Sequence, residues 1–281
     1  MRTLNERLTE SLLDDEDELV NDNTTLIEQF LNDNYIIKGT YTIKNGIVDV
    51  NGNVRISWDV QNDITSLTDD IFEFGTINGD FNINDCINLK TLKGGPKRVK
   101  GDFLCGYCEK LKSFEYAPYE IEGAFVTIDC GVTSLKGLPK RIKYIGLTQC
   151  DNLIDLDYIP DADEYTLSDC TKLKSLKGLP QDHEYSLDVS GCKKLKTLEG
   201  CGKKMGYLSI ERCKLDSFIG GPEVLSGNLY MNESNIKSLD GFPSIVGGAI
   251  YAIKSRLHIP LKIFKDEFIP QNVKFYQSVD I

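Results

Sequence analysis

Along most of this chain, apolar residues alternate for a few positions, stop at a cysteine, and recur about three and six positions later. Cys86, Cys108, Cys130, Cys150, Cys170, Cys192 and Cys213 are separated by 22, 22, 20, 20, 22 and 21 residues, and Ser234 takes the same slot 21 residues on. Five and three positions before the slot stand Phe81 and Ile83, Phe103 and Cys105, Ile145 and Leu147, Tyr165 and Leu167, Leu187 and Val189, Leu208 and Ile210, and Leu229 and Met231. Pairs such as Leu89 and Leu92, or Leu173 and Leu176, follow it; shorter units keep them closer, as in Val132 and Leu135. A proline arrives nine or ten positions after the slot in seven of the eight units, from Pro96 to Pro243.

The alternation predicts a short strand with one face inward. Small and polar residues near the cysteine turn the chain, and the two later apolar residues plug the interior. Proline stops any helix and sets an extended return segment, closed by Val99, Ile121, Ile142, Met205, Leu225 or Val246. One such coil cannot bury these side chains alone, so coils must stack into a continuous core with caps at the ends. Two departures stand out. Cys201 and Gly202 occupy the place of a proline, and Asp163 and His183 stand where an apolar closing residue is expected.

The ends carry other patterns. Leu4, Leu8, Leu12, Leu13 and Leu19 suit a one-sided helix or a partly disordered lead, and Thr25 with Glu28 forms a capping box for a short helix over Leu26–Leu31. Tyr35–Ile56 alternates as strands, with Asn45-Gly46 and Asn51-Gly52 as hairpin turns. The expected organisation is an acidic lead over 1–34, a β cap over 35–61, eight to nine coils over 62–255 and a C-terminal cap over 256–281. Residues 62–67 read as a degenerate zeroth repeat. The cap is expected from Leu261–Ile269 and Val273–Val279.

The string L-x-L-x-x-C-x-x-L resembles the leucine-rich-repeat signature, with cysteine in the usual asparagine or cysteine place. Thr133-Ser-Leu-Lys-Gly-Leu-Pro139 and Lys174-Ser-Leu-Lys-Gly-Leu-Pro180 resemble the short bacterial variety of secreted effectors. The rhythm of Gly79–Pro96 and the lead Leu12-Leu-Asp-Asp-Glu-Asp17 are similar to leucine-rich-repeat proteins of tailed bacteriophages. The resemblance spans residues 62–255 strongly and the lead loosely. It implies a β-rich solenoid: a right-handed coil stack with one parallel sheet on the concave face, few or no convex helices, and short N-terminal helices with a β-hairpin cap. It also implies partner recognition in a bacterial cytoplasm or on a virion.

Charge and chemistry narrow the function. The chain holds 43 acidic against 32 basic residues, a net −11. Residues 1–60 account for −7 of it, with 12 Asp/Glu and 5 Lys/Arg. Such a balance lacks the basic footprint of a nucleic-acid binder and offers an anionic membrane no polybasic attraction. No apolar run marks a signal peptide or a membrane span. The nine cysteines therefore read as reduced thiols. Neighbouring slots lie within the Cα range of a disulfide, yet an inward cysteine acts as a small hydrophobe. The lone pair Cys105 and Cys108 lacks the second ligand pair of a zinc site, because the only histidines are His183 and His258. No nucleophile–base arrangement and no phosphate loop is visible, so no enzyme, cofactor or metal is expected.

If the residues five and three before the slot face inward, those six, four, two and one before it line the concave sheet. Leu104, Tyr107, Val126, Ile128 and Tyr144 then form an apolar patch beside an acidic rim, and Tyr207, Glu211, Arg212 and Tyr230 form a second cluster. Tyrosine and arginine carry interface energy, and contiguous exposed apolar patches mark contacts. That register turns Thr127 inward between two outward aliphatics, so the competing reading is a register slip, in which a bulge at Cys130 would return Ile128 to the core. The expected function is recognition of a partner protein by a non-enzymatic module. The alternatives are a structural or self-assembling virion protein, with the oligomeric state open, and an inhibitor of a host defence or nucleic-acid-processing complex.

Overall fold

Each repeat closes into one coil of a β-solenoid of about nine turns. The computed structural model describes residues 16–257 and 274–276. One helix, α1 (Glu16–Asn34), leads into strands β1 (Tyr35–Lys44) and β2 (Ile47–Ile56), which pair antiparallel from Tyr35–Ile56 to Lys44–Ile47. Beyond them every strand of the stack pairs parallel, beginning with Val54–Phe81 and continuing through Phe81–Phe103, Phe103–Phe125 and Phe125–Ile145. Among the described residues the return segments contain no helix. No described helix is long and apolar enough to cross a membrane.

The inward columns are those expected. Phe81, Phe103, Phe125, Ile145, Tyr165, Leu187, Leu208 and Leu229 are all buried, as are Ile83, Cys105, Thr127, Leu147, Leu167, Val189, Ile210 and Met231. Aromatic rings form a spine through the first coils: Phe74–Phe81, Phe81–Phe103 and Phe103–Phe125 each have centroids 5.6 Å apart. No register slip occurs at Thr127. The strand Ala124–Ile128 pairs without a break against Tyr144–Thr148. Thr127 is fully buried, and its hydroxyl donates to the Cys105 carbonyl at 3.1 Å, which satisfies a polar atom inside an apolar column.

Three expectations need correction. The helix runs unbroken from residue 16 to 34, so Thr25 lies within it and not at its start. It has no Gly or Pro to stop it, and it seats Ile27, Phe30 and Leu31 against the core. Asn45-Gly46 makes the hairpin turn with φ of 52° and 71°, but Asn51-Gly52 lies inside the ladder, opposite Thr40 and Gly39. There Gly39 and Gly52 face each other at φ of 148° and 149°, and a Cβ on either would fall within 2.1 Å of a carbonyl oxygen of the facing strand. The leucines at 4, 8, 12 and 13, and most of the expected C-terminal cap, lie outside the described residues. Within that cap Phe275–Tyr276 pairs with Ile250–Tyr251.

The third correction explains both departures in the repeat. The closing column runs through Ile77, Val99 and Ile121, and later through Met205, Leu225 and Val246. In the Cys170 coil its place falls to Ala162, one residue before Asp163, because Arg141 pairs with Asp161. The small side chain leaves room for Tyr165. Its hydroxyl accepts the Ala162 N–H (2.7 Å) and donates to the Pro160 carbonyl (2.9 Å). In the next coil Tyr185, not His183, fills the column opposite Met205. The Tyr185 hydroxyl accepts the Gly202 N–H at 2.8 Å, a bond that a proline in that place could not donate.

A second column belongs to the backbone. The residue before each slot is left-handed: Asp85, Tyr107, Asp129, Gln149, Asp169, Gly191, Arg212, Glu233 and Lys254, with φ between 47° and 74°. Only one of them is glycine. Each costs roughly 1–2 kcal/mol of local strain for a residue with a Cβ. The turn also aims an N–H at the next coil: Asp129 reaches the Thr148 carbonyl at 3.0 Å, Gln149 that of Ser168 at 2.9 Å and Arg212 that of Asn232 at 2.9 Å. A net hydrogen bond of about 0.5–1.5 kcal/mol offsets most of that strain.

Candidate recognition surface

The outward sheet face is built from residues six, four and two before each slot. Leu104 pairs with Val126, Val126 with Gly146 and Ile128 with Thr148, so Leu104, Val126 and Ile128 lie half-buried on two neighbouring strands. Gly146 makes space for Tyr144: a Cβ there would meet the ring at 3.1 Å. The Tyr144 hydroxyl donates to the Thr166 hydroxyl at 3.0 Å, which holds the ring across its own strand. Tyr107 sits at the turn, 44% exposed, with its N–H on the Ile128 carbonyl at 2.6 Å. Leu104 and Val126 are thus cross-strand neighbours with Ile128 on the same strand as Val126, Tyr144 lies on the next strand and Tyr107 at the turn.

The second cluster is tied together by long reaches. Tyr207 donates to Glu164 at 2.9 Å across the intervening Cys192 coil, and burial first, then Glu164, push its phenol well above the ordinary range. Arg212 crosses the same coil to Asp169 at 3.3 Å. Gly191 and Ser186 supply the low ground that both cross. Glu211 accepts from the Asn232 side chain. Tyr207 meets Tyr230 edge-on at 6.3 Å, and Tyr230 stacks on Tyr251 at 4.9 Å and 8°. Tyr251 stacks in turn on Tyr276 at 4.9 Å. Tyr251 and Tyr276 were missed in the sequence. Ile250-Tyr-Ala252 repeats Leu229-Tyr-Met231, with Ser255 as a ninth slot, and was the available signal.

Much of the polar rim has a structural role. Asp80 accepts the Asp102 N–H at 2.9 Å, Asp102 that of Ala124 at 2.8 Å, and Asn84 that of Gly106 at 2.7 Å. Asn228 and Asn232 do the same for Ala249 and Ile253, both at 2.8 Å. These side chains satisfy amides of the next coil. Ser190 and Ser209, expected on this face, are buried and bonded to each other at 2.8 Å.

Beside the left-handed turns lies an open cleft of about 440 Å³ lined by Asp129, Gln149, Asp151, Asp169, Thr171 and Arg212. All nine cysteines are buried and free. Their thiols donate across coils, Cys108 to the Ile83 carbonyl at 3.3 Å, Cys192 to that of Leu167 and Cys213 to that of Val189, both at 3.1 Å. Burial pushes Cys130 up to about 11 and Cys86, Cys201 and Cys213 up to about 12, so these thiols stay protonated. Among the described residues no group of three or more His, Cys, Asp or Glu is placed to hold a metal. His183 lies between Asp182 (3.1 Å) and the Ala162 carbonyl (3.2 Å) and packs on Tyr185; His258 is outside the described residues. No protein-family model, curated protein or solved structure matches the chain.

Proposed function

We propose that the chain is a non-catalytic recognition module of leucine-rich-repeat type, from a bacterium or its phage, that docks a partner protein on the concave face of its sheet. One observation carries this reading: Leu104, Val126, Ile128, Tyr144 and Tyr107 lie on neighbouring coils of a face that elsewhere carries polar residues and tyrosines. The inward columns that join the coils are filled without this patch. Leu104, Val126, Ile128 and Tyr144 stand on hydrogen-bonded strands, so the backbone that presents them is fixed before docking. Tyr144 and Tyr107 present amphipathic rings at the border of the patch, the kind of residue that anchors interfaces.

The test is affinity capture from lysate of the bacterial host, comparing wild type with a Tyr107→Ala, Val126→Asp, Tyr144→Ala variant whose fold is checked by far-UV circular dichroism. A protein bound by wild type and lost by the folded variant is the expected result. Capture of nothing, or equal capture by both, overturns the reading.

A further inference from the structure

Charge is segregated on this solenoid, and the net −11 hides it. Just after the slot, three successive coils carry Lys172 and Lys174, then Lys193, Lys194 and Lys196, then Lys214, every one exposed. Lys172 and Lys194 take the same place in adjacent coils, as do Lys174 and Lys196. Like charges therefore stand in rows one coil spacing, ~4.8 Å, apart. Such rows oppose stacking, and packing supplies no reason for them.

Four nearby carboxylates have closer partners, although Asp216 also feels the charge of Lys196. Asp151 accepts the Thr171 N–H at 3.1 Å and Asp155 that of Asp157 at 3.2 Å; Asp169 holds Arg212 at 3.3 Å and Asp216 holds Lys237 at 2.6 Å. Among the described residues none of the six lysines forms an ion pair. Lys172 donates to the Asn152 side chain at 3.3 Å and Lys196 to the Lys214 carbonyl at 3.1 Å. Charges farther than about 8 Å are largely screened at physiological ionic strength, so a partner touching this ridge meets its lysines and not the net charge of the chain.

We propose that this ridge binds the phosphate backbone of a nucleic-acid strand without reading its bases. Lysine offers a point charge that suits a row of phosphates in any rotation, and no arginine fork stands among the six. No exposed aromatic ring interrupts the rows to stack a base. The ridge lies off the apolar patch, and neither reading depends on the other.

The experiment is fluorescence anisotropy of a labelled oligo-dT of about 20 nucleotides with the full chain, from about 50 to about 200 mM salt. Binding is expected to weaken with salt at a log–log slope of about −2 to −4, at roughly −0.7 per phosphate contacted. The quadruple variant Lys172→Gln, Lys174→Gln, Lys194→Gln, Lys196→Gln should lose at least about tenfold in affinity at low salt, and Lys174→Gln alone should lower the slope by about 0.7. Lys110→Gln with Lys112→Gln, in another coil, should bind as wild type does, and so should the apolar-patch variant. No binding at the lowest salt, or equal binding by the quadruple variant, overturns the proposal. So does displacement by poly-glutamate as effective as that by unlabelled oligo-dT, which would assign the ridge to carboxylates.

Discussion

Removing one oxygen from Tyr165 should be among the costlier conservative changes in this chain. The ring is fully buried, and Tyr165→Phe keeps nearly all of its apolar packing. What it removes is a hydroxyl that serves two backbone groups, the Ala162 N–H and the Pro160 carbonyl. A buried group left unpaired costs about 1–3 kcal/mol, the carbonyl toward the lower end because it has two lone pairs. The sum is about 2–4 kcal/mol. Tyr185→Phe orphans only the Gly202 N–H and should cost about 1–3 kcal/mol. Tyr116, 65% exposed, provides a control: Tyr116→Phe should be neutral. At roughly 2 °C per kcal/mol for a chain of this size, the three should melt about 4–8, 2–6 and 0 °C below wild type. Melting curves by far-UV circular dichroism and urea midpoints at unchanged m test the order. Melting of Tyr165→Phe with wild type would refute the reasoning that these hydroxyls replace missing backbone partners.

The buried thiols make a prediction at high pH. Their folded values of about 11 to 12 lie above the ordinary value of 9.0, so the unfolded chain releases protons first. Stability should be whole below pH 9 and then fall by about 1.4 kcal/mol per pH unit per thiol, roughly 4–6 kcal/mol between pH 9 and 10 for the four together. Urea midpoints across that range measure it, and a flat profile would contradict their burial. A thiol reagent at pH 8 should react only as fast as the chain unfolds. Gln149, at φ 55°, should tolerate Gln149→Gly within about 1 kcal/mol, whereas β-branched Gln149→Val should lose about 1–2 kcal/mol by thermal melting. The Ala162 carbonyl and then Asp182 raise the titration of His183, so its small contribution is complete below pH 6.5 and fades as pH rises through the folded value. The difference in melting temperature between wild type and His183→Gln should therefore be larger at pH 6 than at pH 8.

Where one residue type had one physical role, the chain was readable. The slot period and the inward columns follow from apolar side chains that only stacking can bury. Failures came where the backbone, or a polar atom, made the choice. Asn45-Gly46 and Asn51-Gly52 are similar words, yet only the first turns, because Gly39 faces the second across the ladder. The left-handed column is invisible in residue types that range from Asp to Tyr to Arg. Asp80 and Asp102 face outward as expected but serve amides of the next coil. Tyr165 was legible as an inward residue but not as a backbone partner, and Tyr185 was not read at all, which left Gly202, Asp163 and His183 looking like defects. Summed charge concealed the lysine ridge, since it takes no account of which coil edge each residue occupies.

Because β1 runs against β2 while every later pairing of the stack is parallel, the winding has a fixed beginning. A whole coil duplicated or deleted downstream would meet the same backbone ladder on both sides, since each strand of the stack pairs with that of the next coil, and only reaches such as Tyr207 to Glu164 and Arg212 to Asp169 would be lost. A coil placed ahead of β1 would meet a strand of the wrong direction and could not carry the winding on. Lengths in such a lineage are thus free to change by one repeat at a time behind the hairpin and not in front of it. Two copies cannot fuse into an endless filament by continuing one helix of coils through that end.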